Sequence, residues 1–416
     1  MQYPFSRIRR WAIRSLPLTL LATAGLAQAQ EAPPQINEAA FRTCLANLQG
    51  TPAFRQVSAA TFARYTNGLQ PDATVLPLLN RQPEFTMPVW DYLAVLVDQE
   101  RVADGRAAYQ KWLPTLRQIQ QRYGVEPAMV MGVWGVESNF GQNLGGRPLL
   151  NSLATLSCEG RRQSYFRTEF ANTLRILQSG DVPAEKLTGS WAGAFGQTQF
   201  MPSTFLSTAV DFDGDGRRDI VDSVPDALAS TANFLRKAGY RSNETWGYEV
   251  RLPAGYTPAV SGRRNKRGMD YWVSQGLRLA DGGGALPRTM ASAGLLLPAG
   301  RNGPAFLVGK NFDTLYSYNA SENYALAIAQ LSTLVDGQRN RVGFIQAWPT
   351  DDPGLSRAEN RELQTLLLAR GHAIGTADGM IGAKTRDAIR AEQTRLGMTS
   401  NGRAGQRLLT ALRQQR

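Results

Sequence analysis

Between Pro127 and Gly141 the chain reads Pro-Ala-Met-Val-Met-Gly-Val-Trp-Gly-Val-Glu-Ser-Asn-Phe-Gly, an apolar run closed by a single carboxylate. Pro127 suits a first helical turn, where its missing N–H needs no partner, and Gly141 supplies a stop about four turns later. A helix without a polar face has to be surrounded by other parts of the chain, so this segment belongs inside a core. Glu137 then sits at the C-terminal end of a buried helix. Desolvation and the negative end of the helix dipole both disfavour its charge there, so its pKa is expected to rise. A carboxyl that keeps its proton near neutrality can donate it. An isolated helix-end glutamate is more simply a residue turned to solvent, and the rest of the chain has to decide between the two.

Helical spacing dominates that rest. Ala39, Phe41, Cys44, Leu45 and Leu48 recur on one face, as do Leu93, Leu96 and Val97 after Pro88, and Tyr109 to Tyr123 and Leu149 to Leu177 continue the pattern. Trp90 and Tyr92 at such spacing are core residues before they are sugar platforms. Ser190-Trp191-Ala192-Gly193-Ala194-Phe195-Gly196-Gln197-Thr198-Gln199-Phe200-Met201-Pro202 breaks the rhythm with small residues and amides. Its glycines permit close backbone approach, to a ligand or to another helix, and Gln197 and Gln199 can donate and accept towards hydroxyl-rich ligands. From Trp246 to Phe312 frequent Gly and Pro and short alternating runs indicate a small β-containing lobe. Helix returns at Ser317 to Leu334, with Ser321 as a cap, and Asp351-Asp352-Pro353-Gly354 makes a linker. Beyond it, Arg357 to Arg370, Ala383 to Arg395 and Gly405 to Leu412 form a small three-helix unit whose thin core suits surface binding better than chemistry.

Asp211-Phe212-Asp213-Gly214-Asp215-Gly216-Arg217 has the spacing of an EF-hand loop, residues 211–222: oxygens at positions 1, 3 and 5, Gly at 6 and the Arg217 carbonyl at 7. Asp222 stands at position 12, where Glu is usual, and Asp226 competes with it as a ligand. One structural calcium ion is expected; an Asp/Gly-rich turn is the plainer alternative.

The inventory excludes several chemistries. His372 is the single histidine and lies near the C-terminus, so a Ser-His-Asp triad, a Cys-His pair and a multi-histidine zinc site are ruled out for the main domain. Residues 1–29 have the form of a signal peptide: Arg7, Arg9, Arg10 and Arg14 precede an apolar core from Leu16 to Leu26, and Ala27-Gln28-Ala29 offers a cleavage site. No cysteine stands directly after that site, so no lipid anchor is expected, and the mature chain is expected in the periplasm. In that oxidising space Cys44 and Cys158 form one disulfide or remain two buried thiols. Loss of the signal takes four arginines and no acid, moving the net charge from +12 to +8. This balance suits a polyanionic polymer such as cell-wall glycan. Export and the scattered basic residues argue against nucleic acid, and the one cluster, Arg263-Arg264-Asn265-Lys266-Arg267, is expected to be a solvated loop.

Trp134 to Gly141, Gly189 to Ser203, the Asp211 to Asp222 loop and Ser317 to Ile328, in this order, resemble the lytic murein transglycosylase B family. The tail, with Leu363-Gln364, Asp378-Gly379, Gly382, Thr385 and Gln393, is similar to the peptidoglycan-binding module often attached to such enzymes. The resemblance implies a mainly α fold of the α+β kind: a lysozyme-like helical catalytic domain over residues 30–347 with a small β lobe, a linker at 348–354, and a three-helix peptidoglycan-binding domain at 355–416. It implies cleavage of the bond between N-acetylmuramic acid and N-acetylglucosamine without water, with Glu137 as the single acid/base and a 1,6-anhydro sugar as product. Ser138, Ser190, Gln197, Gln199, Phe200, Met201, Tyr318, Asn319 and Tyr324 would follow the glycan groove, with Arg161 and Arg162 near the peptide or lactyl carboxylates. Phe234 after Asn233 stands where some relatives carry Tyr. The metal loop is one residue longer than in a relative with a known site, so Asp222 and Asp226 both stay candidates. Peptidoglycan strands are the expected partner, other cell-wall enzymes are candidates, and no organic cofactor is implied. The competing readings are a hydrolytic muramidase and a non-catalytic wall-binding protein.

Overall fold

The computed structural model describes residues 35–80, 86–282, 284–337 and 342–415; the 1–29 export signal lies outside the described residues. The helix Pro127–Ser138 is buried on nearly every side. It stops at Asn139, two residues before the expected Gly141, because Asn139 already takes a left-handed φ of 50° and its N–H returns to the Gly135 carbonyl at 3.1 Å. Asn is one of the few residues that tolerates that conformation.

Two glycines decide what this helix packs against. A methyl group at Gly132 would lie 2.8 Å from the Ile328 carbonyl oxygen, and one at Gly135 would lie 2.6 Å from Leu331 Cδ2. The helix Glu322–Val335, started by the Ser321 cap as expected, can therefore press against the Glu137 helix almost backbone to backbone. Leu116, Ile119, Leu228, Leu235 and Phe312 complete the core around the pair. Leu116 and Ile119 come from the helix Gln99–Tyr123, which runs past the Tyr109 start set by periodicity because Asp98 caps it earlier.

A second core gathers the helices Glu38–Leu48, Ala59–Thr66, Leu149–Cys158 and Gln163–Ser179 around Phe54, Phe166, Phe170, Phe195 and Phe205. Cys44 and Cys158 are joined as a disulfide across a separation of 114 residues, tying the first helix to the third.

The β lobe is a five-stranded antiparallel sheet in the spatial order 267–268, 292–296, 305–308, 247–251, 278–279. Its middle strand shows why it stays attached: Phe306 and Val308 enter the main helical core, whereas Ala305 and Leu307 face the lobe's own core at Trp272 and Met269. That alternation is the two-residue period of a strand buried on both faces.

The C-terminal helices Arg357–Ala369, Ala383–Arg395 and Gln406–Arg413 enclose a separate core of Leu363, Leu367, Ile389, Leu409 and Leu412. A capping box of Ser356 and Glu359 opens the first. The segment expected to be a plain linker is instead clamped. Gly354 pairs with Gly405, and Arg403 reaches both Asp352 and, through two bonds of 2.6 and 2.7 Å, Asp91 of the main domain. Arg357 binds Asp98 at 2.8 Å and the side chain of Asn139 at 3.2 Å, and Arg361 pairs with Glu100. Burial works to raise the Asp98 pKa, but bonds from Arg357 and the Arg101 backbone hold it below the usual carboxylate range. Among the described residues no helix is long and apolar enough to cross a membrane.

Gly132→Ala should force the two central helices apart, because the obstructing atom is backbone and cannot swing away. The expected loss is about 1–3 kcal/mol, measured as a lowered denaturation midpoint. Unchanged stability would show that the contact is slack.

Candidate active site

Glu137 occupies the last turn of its helix and stays only partly accessible. The Tyr324 hydroxyl donates to its Oε1. Burial pushes the Glu137 carboxyl up to about 8, against the opposing pull of the Tyr324 hydrogen bond. No second acid is among the groups that set this value. The carboxyl is thus protonated at neutrality through desolvation, in agreement with the expectation from its place on the helix.

The surroundings form one connected patch. Tyr324 stacks on Tyr318 with ring centroids 6.2 Å apart, and the Tyr318 hydroxyl donates to the Thr198 carbonyl at 2.7 Å. Burial, and next the charge of Glu137, pushes both phenols well above their ordinary value, so they serve as neutral donors. Phe234 packs at 4.5 Å from the Tyr318 ring. Gln199, with a left-handed φ of 49°, donates to the carbonyls of Leu144 and Gly196 at 3.0 and 2.9 Å. Met201 is half-buried beside it and Asn319 is exposed at the end of the helix Lys310–Asn319. Ser190 closes a turn by accepting from the Ala194 N–H at 3.0 Å, and bridges Gly189↔Phe195 and Phe195↔Phe200 join that turn to the Gln199 segment.

Three expected glycan contacts need correction. Ser138 is 1% exposed and its hydroxyl donates to the Gln197 carbonyl at 2.8 Å. Gln197 is 5% exposed, with its Oε1 taken by Trp134 Nε1 at 3.0 Å and its Nε2 by the Val221 carbonyl at 3.0 Å. Phe200 is 1% exposed, its ring 5.9 Å from those of Phe234 and Tyr318. All three brace the site from behind, since their polar groups or rings are already occupied by protein. Arg161 and Arg162 are exposed, and their recorded contacts are the Leu79 carbonyl and the Tyr165 ring, apart from the Glu137 patch. Sequence reasoning missed Arg101, which is buried and donates to the Gly135 carbonyl at 3.2 Å, placing a cation on the end of the Glu137 helix. No spacing rule points to a partner so far along the chain.

In the acidic loop, Asp211, Asp213 and Asp226 each offer an oxygen, all within 4.8 Å of one another. Asp226 is fully buried, accepts from the backbone N–H groups of Phe212, Asp213 and Asp219, and pairs with no lysine or arginine among the described residues. Burial raises its pKa. Asp215 is paired with Arg217 at 3.1 Å, and Asp222 faces Lys186 at 3.3 Å, away from the cluster. Oxygen-only donors with an uncompensated buried charge fit a hard divalent cation. The loop also reaches the acid: Ile220 accepts from the Gln197 N–H at 2.8 Å, and Gln197 in turn holds Trp134.

A single desolvated carboxyl thus ends the central helix, flanked by tyrosines, and among the described residues no histidine or thiol serves it. The model of the transglycosylase SLT domain matches residues 40–333, and the chain belongs to that family. A second model, for a peptidoglycan binding domain, matches residues 356–412. The chain is 32% identical over 247 residues to membrane-bound lytic murein transglycosylase B of Escherichia coli K12, a match covering 59% of this chain and 66% of that protein, just under two thirds. Its fold is similar to the crystal structure of SltB3 from Pseudomonas aeruginosa in complex with NAG-anhNAM-pentapeptide (44% identity, 90% of this chain and 98% of that one, TM-score 0.68). It is also similar to the E. coli lytic transglycosylase Slt35 in complex with calcium (29% identity, 71% of this chain and 92% of that one, TM-score 0.59).

The raised Glu137 pKa carries a stability consequence. Between the ordinary value of 4.5 and about 8 the folded chain holds a proton that the unfolded chain releases, so this group's contribution to stability falls as pH rises across that window. Glu137→Gln removes the effect. The melting temperature of the variant relative to wild type should climb across the window and level off above it; a difference independent of pH would contradict a raised pKa.

Proposed function

We propose that this chain is a periplasmic lytic transglycosylase that cleaves the MurNAc–GlcNAc bond of peptidoglycan without water and leaves 1,6-anhydro-MurNAc ends, serving cell-wall turnover. The observation that carries the reading is Glu137: one carboxyl, kept protonated to about 8 by burial, fixed by Tyr324, with no neighbouring acid. Such a group gives its proton to the glycosidic oxygen as the bond to C1 breaks. The resulting carboxylate, poorly solvated, takes the proton of the muramyl C6 hydroxyl as that oxygen bonds to C1. Atoms balance without an added nucleophile, which is why a partner carboxylate, needed by two-carboxylate glycosidases, is dispensable. Tyr318, Gln199, Met201, Asn319 and Ser190 line the approach for the strand, and the C-terminal module holds the wall. The disulfide supports an oxidising compartment.

Purified sacculi digested with wild type should release muropeptides ending in the anhydro sugar, with mass spectrometry as the readout. Glu137→Gln should lower the rate by at least about a thousandfold while binding to sacculi persists. Reducing-end products would favour a muramidase in which water attacks. Normal wall clearance by the variant would favour a binding protein.

Asp211, Asp213 and Asp226, with Asp215 and the Arg217 carbonyl as further oxygens, would hold one structural calcium ion, consistent with the calcium in the Slt35 structure. The ion would stiffen the loop that braces Gln197, apart from the chemical step. Calcium added to chelator-treated protein should raise its melting temperature, by an amount equivalent to about 2.7 kcal/mol at a hundred times Kd. Asp213→Asn should abolish that response and leave the metal-free melting temperature nearly unchanged. A response retained in full by the variant would remove this loop as the site.

A further inference from the structure

The basic run Arg263-Arg264-Asn265-Lys266-Arg267 does not behave as the solvated loop its composition suggests. Arg263 is 9% exposed, with its guanidinium 3.4 Å from the centre of the Tyr316 ring and bonded to Asp313 at 3.1 Å. Lys266 turns inward to the same Asp313 at 3.1 Å. Arg264 is exposed and enters no ion pair among the described residues. Together with Asn265, Tyr316, Glu322 and Asn323 these arginines line a cavity of about 580 Å³, the size of a small-ligand pocket.

The cavity is lined by residues of the two helices that also carry Tyr318 and Tyr324. Tyr316 stands one turn or less before Tyr318 on the same helix, and Asn323 directly precedes Tyr324, whose hydroxyl holds Glu137.

The lining favours one part of a murein strand. One face of Tyr316, the only aromatic ring in the lining, is covered by Arg263, which weakens it as a platform for a sugar ring. What remains is charge of both signs. Arg264 offers an exposed planar guanidinium within electrostatic reach of Glu322 but outside any ion pair among the described residues, the geometry that binds carboxylates through paired hydrogen bonds. Glu322 keeps 44% of its side chain exposed, lies 3.6 Å from Arg263 and feels the charge of Arg264 as well, and offers a carboxylate to an amine. Bare glycan carries no amine, whereas the peptide hung from muramic acid carries carboxylates and, in its diamino acid, an amine.

We propose that this cavity is a stem-peptide subsite, in which Arg264 binds a carboxylate and Glu322 the amine of the peptide borne by the strand at Glu137. It rests on the reading of the chain as a murein transglycosylase, and it is separate from Arg161 and Arg162. Arg264 acts in substrate recognition and takes no part in proton transfer.

The test compares initial rates of the full chain on glycan strands that carry stem peptides and on the same strands stripped by an amidase, which leaves the lactyl carboxylate in place. Arg264→Ala should raise KM on peptide-bearing strands about five- to tenfold, Arg264→Glu should raise it further, and kcat should stay within about twofold of wild type. On stripped strands wild type and both variants should agree. Arg301→Ala, removing an exposed arginine of the β lobe, should match wild type throughout. Equal KM values for wild type and Arg264→Ala on peptide-bearing strands would overturn the subsite. So would an equal rise on both substrates, which would assign Arg264 to the lactyl group or to the general field. Absence of turnover by wild type on either preparation would instead defeat the transglycosylase reading itself.

Discussion

The close approach of Pro127–Ser138 to Glu322–Val335 is the constraint on which the site depends. With side chains at 132 and 135 the helices would stand farther apart, and the Tyr324 hydroxyl would not reach Glu137. The same approach expels water from around the carboxyl. Burying an ionised acid would cost several kcal/mol, so the group takes the neutral form instead. The fold thus stores a proton by packing alone, without a partner charge.

Position is secured from three sides. The acidic loop holds Gln197 through Ile220 and Val221, and Gln197 holds Trp134 and Ser138. Arg101 places a cation on the Gly135 carbonyl, offsetting the dipole of the helix that ends at Glu137. From the C-terminal module, Arg357 binds both Asp98, the cap of the neighbouring helix, and Asn139, the residue that terminates the Glu137 helix. The wall-binding unit is therefore joined to the end of the helix that bears the acid, by a network of charges whose members are partly buried and so less screened than surface pairs. These pairs hold the C-terminal module against the main domain more firmly than a loose linker would.

The parts of the molecule that were legible in the sequence are those governed by local rules. The apolar run announced a buried helix, Ser321 its neighbour's cap, and the alternating stretches the β lobe, because periodicity and capping act within a few residues. Glu137 was legible because its environment followed from its place on one helix. Ser138, Gln197 and Phe200 were assigned to the groove, yet they face inward: polarity and small neighbours mark a tight contact without saying whether ligand or protein fills it. Loop length alone does not tell which of Asp222 and Asp226 turns in; Asp226 does so because it is buried against the loop backbone. The inward turn of Arg263, and the reach of Arg357 to Asn139 across 218 positions, depend on packing between distant segments that no local pattern encodes.

In the proposed reaction one desolvated carboxyl serves both halves of a water-free cleavage, because the two halves ask for opposite things from it. In the first, the acid must hold its proton until the glycosidic oxygen needs it, and burial raises its pKa enough to ensure this at neutral pH. Once the proton has left, the same burial makes the carboxylate an uncomfortable charge and hence a better base than an exposed one, suited to drawing the proton from the C6 hydroxyl. A pKa near 8 lies close to the working pH, so neither transfer is strongly uphill. Tyr324 moderates the balance: its hydrogen bond favours the ionised form and holds the pKa below what burial alone would give, steadying the carboxylate between the two transfers. A second acid nearby would raise the pKa further and activate water, the competitor that a ring-closing sugar has to outrun.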